Sequence, residues 1–435
     1  MKLEQPPKCS SQKESLEVSK LISSPDTYSE ISEINAKYPY WDKVKYIKST
    51  KVQNPQILWH ALKFLRKINR TEVSFGNYHF SFTPTDEILQ LLHYFDMNIG
   101  GSLTSEHLIP NDKKQTYLIS SIMEEAIASS QMEGASTTRK VAKEMLRKSE
   151  KPQDKSQQMI LNNYKTINHI KEIHKSGFSV SELLNIHHSM TENTLDDPNE
   201  AGKIRQNDDI LVVDCSTSDV AFIPPHFEEL SALLSDLENF FNNDSKNFIH
   251  PIIKGIIVHF MLAYIHPFVD GNGRTARSLF YWYMLKQGYW MVEYMSISRI
   301  IYKTKTAYEK SFLHTEYDEN DLTYFILYNL KTMKQAFDDL KEYLKRKTEE
   351  NKSSVMLSFI KGVNQRQAEI IMIVQKNPNT VFSVKEIENR FSISNFTARA
   401  DLENLVELGY LSEIQINKVK RSYIKSKKFD NLIKY

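Results

Sequence analysis

Cysteine is scarce in the 435-residue chain, which has only Cys9 and Cys215. One stands in a polar N-terminal stretch and the other in an expected turn, so neither a disulfide framework nor a cysteine-based zinc site is expected. An excess of charge of one sign is also missing. The net charge of +2 gives no global electrostatic case for nucleic acid or a membrane surface. Long apolar runs are lacking too. The strongest, Ile252 to Phe268, is interrupted by Lys254, His259 and His266 and is too short and too polar to span a bilayer. The opening MKLEQPPKCSSQKES carries no apolar stretch of the kind a secretory signal needs. The expectation is a cytoplasmic protein that does not engage a membrane.

What is present suits a globular protein. Hydrophobic residues make up 40% and charged residues 25%, and 435 residues exceed a single ordinary core, so two or three domains are expected. Residues 1–28, rich in Ser, Lys, Glu and Pro, read as a flexible tail. Trp41, Ile57, Leu58, Leu62 and Leu65 predict a short packed helix. Val73, Phe75, Tyr78, Phe80 and Phe82 alternate around Gly76-Asn77, as in a hairpin. Thr85 or Asp86 caps a helix through His93. Helical spacing follows from Gln115 to Met132, Gln157 to Lys175 and Ser181 to Asn193. Ile210 to Val213 and Val220 to Ile223 flank the turn-rich Asp214 to Asp219, a second hairpin. Helices are predicted again at Phe227 to Phe241, Pro251 to Ile265 and Arg274 to Gln287, the last closed by Gly288, and then from Arg299 to Asn351. The charged run Lys341 to Lys352 reads as a solvated helix end.

One segment concentrates chemistry: His266-Pro267-Phe268-Val269-Asp270-Gly271-Asn272-Gly273-Arg274-Thr275-Ala276-Arg277. A buried helix ends at a polar loop with two glycines, and a new helix starts at Arg274. Glycines let backbone amides approach an anion, and a helix N-terminus adds donors and the positive end of its dipole. Arg274 and Arg277, three apart, share a helix face and can grip successive phosphates. Asp270 supplies an oxygen ligand suited to Mg²⁺ shared with phosphates, and His266 can accept a proton at pH 7. Singly, each residue has an ordinary reading as a turn glycine or a core histidine. Together they point to nucleotide chemistry. A dinucleotide fingerprint, Gly271-x-Gly273-x-x-Ala276, is rejected because a helix rather than a strand precedes it.

The segment resembles the Fic-family signature, His-x-Phe-x-Asp/Glu-Gly-Asn-Gly-Arg-x-x-Arg, at every fixed position. That resemblance implies a mainly α fold: a Fic-type helical bundle with a small β-hairpin flap. It also implies protein adenylyltransferase activity, moving AMP from ATP to a Tyr, Ser or Thr hydroxyl of a target protein. His266 would be the catalytic base and Phe268 the anchor of the loop. Asp270 would hold Mg²⁺, and Gly271, Asn272, Gly273, Arg274 and Arg277 would bind ATP. Relatives resembling kinases carry lysine where this chain has Gly273, so AMP transfer is implied over phosphate transfer.

Two further elements resemble the same family. Ser129-Ser130-Gln131-Met132-Glu133-Gly134 fits the inhibitory pattern Ser/Thr-x-x-x-Glu-Gly/Asn. Ser129 and Glu133, four apart, fall on the packed face with Ile122 and Ala126. The resemblance implies that Glu133 pairs with Arg277 and blocks productive ATP binding, with Gly134 ending the helix. The hairpin after Gly202-Lys203-Ile204-Arg205 resembles the family's flap, on which a target protein would dock as an added strand. His187 and His188 lie among apolar neighbours and are left outside the site.

At the C-terminus, Gln365 to Gln375 is helical, Ser383-Val384-Lys385-Glu386 opens a short helix, and Ser394 caps a longer one carrying Phe396, Ala398, Leu402 and Leu405 up to Gly409. Leu411 to Ile416 and Arg421 to Ile424 flank a basic turn, Asn417 to Lys420. This order resembles a winged helix-turn-helix, an α+β domain. Thr397, Arg399 and Lys418 to Arg421 would face DNA, although such domains equally serve in protein docking. The resulting division is a tail at 1–28, a helical and hairpin region at 29–100 and a Fic core at 101–345. The core includes an inhibitory helix, 115–134, and a flap, 209–225. A linker at 346–361 and a winged helix at 362–435 follow. Two other functions stay open: a DNA-binding regulator whose Fic core senses nucleotide, and an enzyme removing AMP from modified proteins. A homodimer stays open as well.

Overall fold

The computed structural model of the protein describes residues 3–8, 12–100, 114–213, 220–243, 247–358, 360, 362–415 and 421–433. Cys9 and Cys215, the flap turn at 214–219 and the basic wing turn at 417–420 lie outside the described residues. In chain order the helices begin with α1 (Gln12–Ser23), α2 (Pro25–Ala36), α3 (Trp41–Val44) and α4 (Pro55–Ile68). The hairpin β1 (Thr71–Phe75) and β2 (Tyr78–Phe82) precedes α5 (Asp86–Asn98), α6 (Lys114–Met132), α7 (Arg139–Lys148), α8 (Lys155–Ile173) and α9 (Val180–Thr191). A second hairpin, β3 (Val212–Val213) and β4 (Val220–Phe222), leads to α10 (Leu230–Asn242), α11 (Pro251–Ile265) and α12 (Asn272–Lys286). Next come α13 (Ile297–Lys303), α14 (Lys305–Tyr317) and α15 (Thr323–Ser358). The chain ends in α16 (Gln365–Lys376), α17 (Val384–Phe391), α18 (Asn395–Glu407), β5 (Leu411–Gln415), β6 (Arg421–Lys425) and α19 (Phe429–Leu432). None of these helices is long and apolar enough to cross a membrane.

The described chain divides into two compact units. The first comprises Met1–Thr104, Lys165–Val292 and Ile297–Gln335, and the second Ser105–Tyr164, Glu293–Ser296 and Ala336–Tyr435.

At the centre of the first unit, α11 and α12 pack along each other and are buried on nearly every side. A helix apolar all round belongs inside a core, and α11 (PIIKGIIVHFMLAYI) is such a helix. Gly255 lets the pair approach closely, since a β-carbon there would lie 3.1 Å from the Tyr283 ring. Outer layers follow local chemistry. Asn54 caps α4 ahead of Pro55, Gly76-Asn77 forms the two-residue turn of β1–β2, and the Thr85 hydroxyl accepts from the Ile88 amide at 3.2 Å. Val73, Phe75, Phe80 and Phe82 form the hairpin's buried side. Residues 12–23 of the expected tail are helical. Glu, Lys and Leu are good helix formers, and α1 packs on α4 with Val18 buried.

In the second unit, α6, α7 and the start of α8 share a small core of Met123, Ile127, Ala142, Met145 and Ile160. The C-terminal helices have their own core, including Ile370, Ile371, Ile387, Leu402, Leu405 and Tyr423. Asn364 and Gln367 form a reciprocal capping box on α16. Ser383 accepts from the Glu386 amide, and Ser394 from the Thr397 amide, at 3.2 Å each. The buried carboxylate of Asp401 ties α18 to α16 by accepting from Arg366 Nε and Asn364 Nδ2 at 2.7 Å. Strand β6 pairs with β5 and, through Tyr423, with Phe382. Two sequence readings change here. The expected linker's first residues, 346–358, continue α15, because a Lys- and Glu-rich stretch favours helix. Phe396 is 83% exposed rather than packed, because it sits at the second position of α18, ahead of the core-facing stripe. The Thr397 hydroxyl lies 2.9 Å from Ser394 Oγ in the cap.

Candidate functional site

The motif is the connection between the two central helices. His266 caps α11 in the left-handed region, φ 50° and ψ 56°, a conformation that non-glycine residues adopt mainly under constraint. Its Nδ1 lies 3.2 Å from the Ala263 carbonyl. A carbonyl only accepts, so Nδ1 carries the hydrogen, and in the neutral ring Nε2 holds the lone pair that can take a proton.

Phe268 is fully buried. The Asn272 side chain closes the loop on it, accepting from the Phe268 amide at 3.0 Å and donating to the Phe268 carbonyl at 2.8 Å. The side chain of Asn272 is therefore structural, and what it offers a ligand is backbone. Helix α12 starts at Asn272, two residues before the expected Arg274, with Gly271 as its N-cap. Gly271 has φ +81°, and a β-carbon there would meet Thr191 Cγ2 at 2.8 Å, so both backbone and space demand glycine. The first turn of α12 at Asn272 and Gly273 thus presents amide donors and the positive dipole end, the arrangement that binds phosphate.

Asp270 accepts from the Gly271 amide at 2.5 Å through Oδ1, and its Oδ2 lies 3.5 Å from Arg274 Nη2. Its side chain is 55% exposed. Arg274 is fully buried and donates to the Met190 carbonyl at 3.3 Å. Arg277 is buried as well. Burial, then the Arg277 charge, lowers the pKa of His259 on α11 to about 3. Among the described residues no three His, Cys, Asp or Glu side chains form a metal cage. A single accessible carboxylate beside an amide-rich turn fits a Mg²⁺ ion shared with phosphates and water.

Two residues outside the motif hold it, and sequence reasoning gave neither a role in the site. His187 on α9 stacks on Phe268 and lies 2.9 Å from the Asp270 carbonyl through Nε2, while its Nδ1 accepts from the Gly202 amide at 3.0 Å. Nothing local marks it, since a histidine in an apolar helix reads the same whether it packs or supports a loop. Arg205 is buried. Its Nε donates to the His266 carbonyl at 3.0 Å, its Nη1 to Asp208 Oδ1 at 2.9 Å, and its Nη2 to the Pro225 carbonyl. Its own amide donates to the Pro267 carbonyl at 2.9 Å. One side chain thereby joins the motif loop to both ends of the flap. The signal for it was the Gly202-Lys203-Ile204-Arg205 segment ahead of the hairpin.

The flap pairs Val212 with Phe222 and Val213 with Val220, with a bulge between. Leu211, Val213, Val220 and Ile223 are exposed, whereas the Phe222 ring packs 4.9 Å from Tyr264 on α11.

Ser129, Glu133 and Gly134 belong to the second unit. Ser129 is buried on α6, as its spacing predicts. Glu133 is exposed and lies past the last helical residue, Met132. Gly134, at φ +92°, turns the chain, and the Ala135 amide returns to the Ser130 carbonyl at 3.1 Å. The packed-face expectation therefore fails for Glu133, because the left-handed turn takes it off the helix.

Residues 177–284 match the Fic/DOC family, and residues 366–414 match the DeoR-like helix-turn-helix domain. Protein adenylyltransferase Fic of Drosophila mojavensis is 31% identical over 117 residues, 27% of this chain and 21% of that protein. The Drosophila melanogaster protein of the same name is 30% identical over 117 residues, again 27% of this chain and 22% of its own length. The chain thus spans about a fifth of these curated relatives. A Fic family protein from Desulfovibrio desulfuricans G20 is 18% identical with a TM-score of 0.49, covering 80% of this chain and 98% of that one. The chain therefore carries a Fic/DOC domain at residues 177–284, which holds the complete signature from His266 to Arg277, and a DeoR-like helix-turn-helix domain at residues 366–414.

Proposed function

We propose that the chain is a protein adenylyltransferase, moving the AMP part of ATP to a Tyr, Ser or Thr hydroxyl of another protein. The observation that carries this reading is the His266 imidazole, fixed through Nδ1 to Ala263, one short loop from the N-terminus of α12. The name shared by the Drosophila relatives supports it. In the step, the target oxygen bonds to the α-phosphorus of ATP and its proton passes to His266 Nε2. The bond from that phosphorus to the β-phosphate oxygen breaks, pyrophosphate leaves, and AMP remains on the target as an ester. The backbone turn at Gly271, with the amides of Asn272 and Gly273 and the side chains of Arg274 and Arg277, holds the phosphates, the Gly271 amide itself being taken by Asp270. Positioning and charge stabilisation account for most of the rate. Mg²⁺ would be held by Asp270 together with the phosphates and would offset the charge of the leaving group. The exposed edge of the flap receives the target as an added strand.

Glu133, in this reading, restrains the enzyme by engaging Arg277. Support comes from the match of Ser129 to Gly134 to the inhibitory pattern. The test is transfer of label from ATP to lysate proteins in the presence of Mg²⁺. Glu133→Gly should raise labelling well above wild type, and adding His266→Ala should abolish it. Unchanged labelling in a folded Glu133→Gly protein argues against the restraint, and labelling that survives His266→Ala argues against the base.

The match at residues 366–414 supports a second activity, DNA binding through α18 and the β5–β6 wing. Arg399 is exposed on α18. Salt-dependent retention of DNA by the full chain, lost on Arg399→Glu, is the expected outcome. If DNA binding responds to nucleotide while His266→Ala has no effect on any target, the regulator reading replaces the enzyme. Release of AMP from a labelled target by the same preparation would instead favour AMP removal.

A further inference from the structure

The second unit contains a cavity of about 840 Å³ lined by α6, α7, α15 and the first two helices of the helix-turn-helix domain. Its size suits an organic ligand. Seven Lys or Arg side chains line it against three Glu. Among these, Lys143 pairs with Glu124, and Arg390 with Glu386 at 2.7 Å. Arg147, half-buried at the end of α7, forms no ion pair among the described residues. Its own burial, followed by repulsion from Arg390, lowers its pKa. Glu386 and Glu124 offset part of that repulsion, but with seven cationic side chains against three carboxylates the lining keeps a positive potential that an anion would relieve.

The rest of the lining is not what a simple ion needs. Tyr117 and Tyr343 meet edge to face at 5.7 Å, and Met123, Met372 and Phe391 add apolar surface. Flat apolar walls next to cations suit a molecule with a ring at one end and phosphate at the other. The walls also belong to elements with separate roles. Tyr117 and Met123 lie on α6, the helix that leads to Glu133, while Met372 and Phe391 lie on α16 and α17.

We propose that this cavity is a binding site for a nucleotide-like effector, a phosphorylated molecule carrying a flat ring, separate from the motif at residues 266–277. Its phosphate is held by Arg147 and Arg390, with Lys140 and Lys376 at the walls, and its ring by Tyr117 and Tyr343. A ligand there touches α6 and the helix-turn-helix domain at once. The binding claim does not rest on the transferase reading.

Hydrogen–deuterium exchange of the full chain with and without ATP reads the two sites separately. Saturable protection is expected in peptides covering 139–148 and 365–391, in addition to any at 266–277. Arg147→Gln removes a charge without touching the backbone carbonyl that accepts from Asn389, and Lys140→Gln alters an exposed side chain. Each should raise the ATP concentration that half-protects 139–148 and 365–391 by roughly tenfold while leaving residues 266–277 as in wild type. Pyrophosphate alone should require a higher concentration than ATP. Protection confined to 266–277, or both variants behaving like wild type, overturns the proposal. Pyrophosphate matching ATP overturns the assignment of the ring to the tyrosines.

Discussion

The imidazole of His187 lies flat on the ring of Phe268, with centroids 3.7 Å apart and planes 4° from parallel. Its two nitrogens tie the Gly202 amide to the Asp270 carbonyl, so one side chain supports the buried anchor of the motif and the backbone beside its carboxylate. His187→Ala removes the stack and both bonds. The expected cost is about 3 kcal/mol of stability, read by denaturant unfolding, together with weaker ATP binding. A variant as stable as wild type that binds ATP normally would show that Phe268 holds the loop without help.

The same bonds fix the protonation state of His187. Nδ1 faces an N–H donor, so a second ring proton has no acceptor there, and burial lowers the pKa from 6.5 to about 4. A base with a depressed folded pKa contributes stability that is complete above the unfolded value. That stability is lost as pH falls through the folded one. Melting temperature should therefore decline between pH 6.5 and about 4, and His187→Ala should flatten that part of the profile. Equal slopes in both proteins would place the acid sensitivity in other groups.

How much of this was legible in the sequence depended on the range of the interactions. The β1–β2 hairpin, the Thr85 cap, α11, α12 and the Gly288 stop follow from neighbours within a few positions, and the pattern of residue types gave each of them. Gly271 and His266 were legible because the motif packs its chemistry into one loop. His187 was not: its partners lie 15 and 83 positions away, and nothing in its own helix separates a supporting histidine from a core one. Helix α7, RKVAKEMLRK, has only Ala142, Met145 and Leu146 buried, a stripe too thin to stand out among its charges. Glu133 shows the opposite error, where helical period was extended one residue past Met132, the last residue of α6 before Gly134 turns the chain.

Arg205 should couple flap and motif in function. Arg205→Ala leaves the His266, Asn207 and Pro225 carbonyls without this donor, while Asp208 keeps the Phe227 amide, at a cost of about 3–5 kcal/mol. Arg205→Lys keeps the charge but lacks the planar fork that reaches four partners, the carbonyls of His266, Asn207 and Pro225 and the Asp208 carboxylate. It should give a folded protein with labelling reduced on the order of tenfold or more. The informative comparison is labelling of a protein target against binding of ATP alone. ATP affinity close to wild type with lost target labelling marks a flap defect, whereas normal labelling by Arg205→Lys would reduce Arg205 to a packing role.

Gly271→Ala tests whether the cradle depends on backbone shape. The new methyl group meets Thr191 Cγ2 at 2.8 Å in a left-handed backbone, φ +81°, and that conformation alone costs about 1–2 kcal/mol. ATP binding should be lost before folding is. Adding Thr191→Ser removes the clashing methyl but not the backbone strain, so partial recovery of ATP binding is the expected result. Full activity in the single variant would mean the loop relaxes freely and does not need its observed geometry.

Glu316 on α14 offers a stability test away from the motif. Burial alone raises its carboxyl pKa from 4.5 to about 8, so the folded protein keeps it protonated where the unfolded chain would ionise it. An acid whose folded pKa is raised is without penalty below pH 4.5, and its penalty grows until pH passes about 8. Wild-type stability should therefore fall across that window. Glu316→Gln keeps the shape without the charge and should be more stable than wild type at pH 8 by roughly 4 kcal/mol, with the two proteins converging near pH 4.5. Thermal unfolding of both at closely spaced pH values provides the measurement. A constant offset at every pH would mean that the amide changes packing rather than charge, and no offset at pH 8 would mean that Glu316 finds solvent or a partner when it ionises.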